Sequence, residues 1–119
     1  MKSKAVILFI SLFILNFLVV TGQESDRPQE IIPLYEGPAP GSETWNWEER
    51  HTETKSGLPM VQNVVDPTLL YYSPDVGKDI GTAMIVAPGG GFKNLMMSYE
   101  GFEIAEKLNE MGVHTFVLK

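Results

Sequence analysis

Met84-Ile85-Val86-Ala87-Pro88-Gly89-Gly90-Gly91-Phe92 decides how this chain is read. An apolar run of this composition, Thr82 to Ala87, predicts a strand buried on both faces. It ends in a proline, three consecutive glycines and an aromatic. Three glycines in a row cost more backbone entropy than a simple turn requires. They leave main-chain N–H groups uncovered, so a ligand or a developing negative charge can approach closely.

Downstream, Ser98 is placed to cap a helix, with Glu100 favourable in its first turn. Gly101, Ile104, Ala105, Leu108 and Met111 follow the three-and-four spacing of a buried stripe. Glu103 and Lys107 stand in the favourable i,i+4 order, and Gly112 suits the position just past the helix end. Val113 to Leu118 reads as a further strand. Strand, loop, helix and strand make one βαβ unit with parallel strands and a right-handed crossover. Upstream, Val61 to Ser73 is strand material. Pro67 confines its own position to a strand start, a bulge or an edge.

Residues 23–58 read as an irregular arm. Pro28, Pro33, Pro38, Pro40 and Pro59 break it repeatedly, with Gly37, Gly41 and Gly57 between them, and no apolar periodicity survives over a helix length. Trp45 and Trp47 alternate, which places both rings on one side of an extended segment. Such a pair serves as a sugar-stacking platform or, more commonly, as a clamp holding an arm to a core.

The N-terminus has the layout of a secretory signal peptide over residues 1–22. Lys2 and Lys4 precede the apolar run Ala5–Val20, and Val20 and Gly22 are small enough for the −3 and −1 positions of a cleavage site. The apolar run is shorter than the ~20 residues of a spanning helix. The expected location is therefore extracellular or periplasmic, with no stable membrane association after cleavage. The chain has no cysteine, which excludes a disulfide scaffold and a lipid-anchored lipoprotein. Loss of Lys2 and Lys4 moves the formal charge from −6 to −8. That balance disfavours nucleic acid and anionic membranes as partners and favours a neutral substrate.

Four readings compete for the glycine loop. As a dinucleotide-binding loop, Gly89 and Gly91 leave Asn94 at the third glycine position, and Lys119 stands where a ribose-binding acid belongs. A phosphate-binding P-loop needs a Gly-Lys-Ser/Thr, which does not follow. A tight strand-to-helix connection needs no more than two glycines. A loop that stabilises the oxyanion of ester cleavage fits best.

The stretches VQNVVDPTLLYYSPD (61–75), GTAMIVAPGGGF (81–92) and EGFEIAEKLNEMGVHTFVLK (100–119) resemble secreted bacterial carbohydrate esterases of the α/β-hydrolase fold. The similarity is to the acetylxylan-esterase and feruloyl-esterase-like group, and IIPLYEGPAPGSE (31–43) looks like that group's N-terminal segment. The resemblance implies the N-terminal part of a three-layer α/β/α sandwich, with residues 59–119 holding its first strands, oxyanion loop and first helix and stopping short of a complete domain. It implies a serine esterase acting on acetyl or feruloyl esters of plant polysaccharide such as xylan, with no metal or organic cofactor. Backbone N–H groups of Gly90 and Gly91 would be the oxyanion donors, Pro88 standing where better-known relatives carry a histidine. The nucleophile, acid and base would lie beyond Lys119. No Gly-x-Ser-x-Gly elbow occurs in residues 1–119, and neither His51 nor His114 suits the general base. The competing expectation is a secreted noncatalytic binding or scaffold protein that keeps this framework.

Overall fold

A computed structural model describes residues 28–119. The expected signal peptide, residues 1–22, lies outside the described residues. Six strands occur among the described residues: β1 (Glu30–Pro33), β2 (Arg50–Glu53), β3 (Pro59–Gln62), β4 (Thr68–Tyr72), β5 (Thr82–Val86) and β6 (Val113–Leu118). The main sheet runs β1-β4-β6-β5, and β2 and β3 form a separate hairpin. β4 is antiparallel to both β1 and β6, whereas β5 lies parallel to β6, with Ile85 opposite Phe116.

One face of the central strands β4 and β6 is buried, whereas β5, expected to be buried on both faces, is an edge strand exposed from Thr82 to Ile85. Thr68, Leu70 and Tyr72 alternate inward on β4, and Val113, Thr115 and Val117 do so on β6. A single helix covers that face. It begins as a π-helical turn, Ser98–Phe102, and continues as α1, Glu103–Glu110. Val61, Leu70, Tyr72, Met97, Ala105 and Val117 form the core cluster.

The π-helical turn alters which residues the helix buries. The N–H of Phe102 reaches back to the Met97 carbonyl at 2.8 Å, so one extra residue enters the turn and the downstream phase shifts. Ala105 is fully buried, but Ile104 and Met111, both placed on the buried stripe by their spacing, are 42% and 68% exposed. Asn109 faces inward instead. Its side-chain amide donates to the Val113 carbonyl at 2.8 Å and the Tyr72 carbonyl at 3.2 Å. Lys107 pairs with Glu110 at 3.1 Å rather than with Glu103.

The expected three-layer α/β/α sandwich is not observed. The described residues form mostly β structure, a mixed four-stranded sheet plus a two-stranded one, with one eight-residue α-helix. Among the described residues no helix lies on the sheet face that carries Tyr71, His114 and Phe116. Strands also form where the proline content predicted an irregular arm. β1 is held by its register on β4, and Pro33 sits at its end, where a missing N–H costs little. The stretch Val61–Ser73 divides in two because Asn63 takes φ 53° and Pro67 immediately precedes β4.

Candidate functional site: the glycine loop after β5

The loop leaves the C-terminal end of β5 at Ala87. Pro88 is buried, and Gly101 permits its approach. A Cβ on Gly101 would fall 3.2 Å from Pro88 Cγ and 3.0 Å from Val117 Cγ1. Beyond it the chain turns through three successive positive φ angles, 154° at Gly90, 63° at Gly91 and 62° at Phe92. L-residues rarely adopt such values. The Gly90 carbonyl closes the turn by accepting the N–H groups of Lys93 at 3.3 Å and Asn94 at 3.4 Å. A Cβ on Gly90 would collide with the Asn94 carbonyl.

Two neighbours fix the loop in place. The Glu100 carboxylate accepts the Gly89 N–H at 2.6 Å, and the Gly89 carbonyl accepts the Met96 N–H at 2.9 Å. The hairpin secures the far end, where Val61 and Leu95 exchange both backbone hydrogen bonds at 3.0 and 2.7 Å. The three glycines therefore differ. Gly89 has its N–H occupied, while those of Gly90 and Gly91 donate to no other group among the described residues.

The loop lines a cavity of about 780 Å³, together with Tyr35, Trp47 and Lys119. That volume lies within the usual range for small-molecule sites. Phe92 stands fully exposed at its margin.

The remaining residues singled out by sequence lie elsewhere. His51 is exposed and contacts Glu49 at 3.0 Å. His114 bridges two elements on the uncovered sheet face: Nδ1 hydrogen-bonds with the Tyr71 hydroxyl at 2.7 Å, and Nε2 lies 3.1 Å from Asp79. Neither histidine lines the cavity. Ser98 does not cap the helix. Met97 occupies the cap position without a side-chain bond, and the Ser98 hydroxyl is buried with no partner among the described residues. Among those residues no three His, Cys, Asp or Glu side chains gather as a metal site, and no helix is long and apolar enough to cross a membrane.

Trp45 and Trp47 do not act as a buried clamp. They are 51% and 49% exposed and pack edge to face, with ring centroids 4.6 Å apart. An ion pair fastens this segment instead. Lys119 Nζ reaches both Glu49 carboxylate oxygens at 2.7 and 3.0 Å, and both side chains are mostly buried. Spacing alone did not reveal that pair, because 70 residues separate its members. Glu100 was legible only as a first-turn acid; its contact with Gly89 joins residues 11 apart. No protein-family model, curated protein or solved structure matches this chain.

Proposed function

We propose that this chain supplies the oxyanion-binding loop of a secreted serine carboxylic-ester hydrolase that removes acetyl or feruloyl groups from plant polysaccharide such as xylan. The observation carrying the proposal is the division of labour among the glycines. Glu100 takes the Gly89 N–H, and the adjacent Gly90 and Gly91 N–H groups remain available beside a cavity of about 780 Å³. Preorganised donors of this kind cost no reorganisation when charge develops on the ester oxygen.

In this reading a serine outside residues 1–119 attacks the ester carbonyl and passes its proton to a histidine, also outside them. The Gly90 and Gly91 N–H groups bind the negative oxygen of the tetrahedral intermediate. The ester C–O bond then breaks, the sugar hydroxyl leaves with the proton, and water hydrolyses the acyl-enzyme. Neither a metal nor an organic cofactor enters these steps. The test is hydrolysis by the full-length protein of acetylated xylan and of methyl ferulate, followed as released acid. Residues 23–119 alone should not exceed the uncatalysed rate on an activated acetate ester. Absence of hydrolysis by the full-length protein would leave the noncatalytic binding role.

A further inference from the structure

The Trp45–Trp47 pair is built for a ligand rather than for the core. Two large aromatic rings held 4.6 Å apart at an interplanar angle of 64°, each about half exposed, leave costly apolar surface in water. The segment does not need them for attachment, because Glu49 and Lys119 anchor it, and the Ser42 carbonyl accepts the Trp45 N–H at 2.9 Å. The segment around the rings carries more acid than base: Glu43, Glu48 and Glu49 against Arg50, with Glu49 paired to Lys119 and Asn46 between the two tryptophans. An anionic ligand or membrane surface would be repelled. A protein partner would need a broader apolar patch than two rings bounded by acids.

We infer that Trp45 and Trp47 bind a neutral pyranose chain. The C–H face of a sugar ring stacks on an indole face, and its hydroxyl rim reaches Glu48 and Asn46. Trp47 also lines the cavity that holds Gly90 and Gly91, so a polysaccharide bound here runs to the rim of that site. The choice of a xylan-type chain rests on the esterase reading; the stacking surface does not.

Trp45 and Trp47 are the two tryptophans of residues 1–119, and comparison with Trp45→Phe and Trp47→Phe variants assigns their indole resonances in the full-length protein. Full-length protein is titrated with unesterified xylohexaose, following fluorescence and the two indole N–H resonances. Both resonances should move, Trp47→Ala should weaken binding about 10-fold, and Trp47→Phe, which keeps a ring, should lose about threefold or less, the smaller share of one stacked contact. Circular dichroism confirms that each variant is folded. If neither resonance moves, if Trp47→Ala binds as tightly as wild type, or if only oligogalacturonate or free ferulate perturbs the indoles, the inference falls. Xylohexaose binding without ester hydrolysis would overturn the esterase reading alone. Hydrolysis with unperturbed indoles would overturn this inference alone.

Discussion

The Glu100 carboxylate accepts the Gly89 N–H at 2.6 Å, and a Cβ at residue 89 would stand 2.6 Å from the same oxygen. The absence of a side chain at residue 89 lets the acid take this close position, from which a Cβ would displace it. This brace ties the π-helical turn to the loop and leaves the next two N–H groups for a ligand.

Removing the brace should loosen the loop more than it destabilises the fold. Glu100→Ala is expected to cost about 1 kcal/mol, the lower range for a hydrogen bond to a charged group that is partly solvated. Hydrogen exchange at the Gly89 amide should accelerate strongly, and Glu100→Gln, which keeps an acceptor, should retain part of the protection. Unchanged exchange in Glu100→Ala would show that the brace does not hold the loop.

Alanine should separate Gly90 from Gly91. At Gly90 a methyl group collides with the Asn94 carbonyl, whereas at Gly91 nothing lies within 4 Å and only the positive φ opposes it. Gly91→Ala is expected to cost ~1–2 kcal/mol, and Gly90→Ala to cost more, with rearrangement of residues 88–95. Chemical denaturation and amide shifts of the two variants check the order. Equal effects would contradict the loop geometry.

Lys119→Met should release the tryptophan segment by leaving the mostly buried Glu49 carboxylate without its cation. The expected loss is about 2 kcal/mol, between the values for exposed and fully buried pairs. Denaturant midpoints and Trp fluorescence check it. A change under about 0.5 kcal/mol would mean that the pair does not anchor the segment.

Asp79 should contribute a pH-dependent increment. The Gly81 N–H at 2.7 Å and, secondarily, His114 hold its carboxyl below the ordinary value. A carboxyl lowered in the folded state stabilises fully above the ordinary carboxylate range and loses that effect as pH falls through its folded value. Urea midpoints of wild type and Asp79→Asn should therefore converge as pH drops below about 4. A constant difference down to strongly acid pH would refute the assignment.

The parts of this fold that were legible in sequence are those with local signals. The Thr82–Ala87 and Val113–Leu118 runs correspond to strands β5 and β6, though β5 is exposed rather than buried on both faces, Pro67 immediately precedes β4, and the glycine loop stands between β5 and the helix. What was not legible depends on partners far away in the chain. β1 and β2 are four residues each and exist through pairing with β4 and β3, a relationship that proline counts do not encode. A helical wheel placed Ile104 and Met111 inward because it assumes 3.6 residues per turn, and the π-helical turn breaks that assumption. Of the site, the run of three glycines stands out in the sequence, and the choice of Gly90 and Gly91 within it rests on the family resemblance. Glu100, Trp47 and the Glu49–Lys119 pair required the three-dimensional contacts.

The central claim is that the Gly91 N–H, with that of Gly90, binds an ester oxyanion. Proline cannot test it cleanly, because Gly91 holds φ 63° and proline requires about −65°. Replacing the Gly91 amide with an ester linkage deletes the N–H and keeps the side-chain-free backbone. In the full-length protein this change should lower kcat about 100- to 1,000-fold, with KM altered much less because the ground-state carbonyl uses the donor weakly. Turnover within about twofold of wild type in the folded variant would contradict the claim.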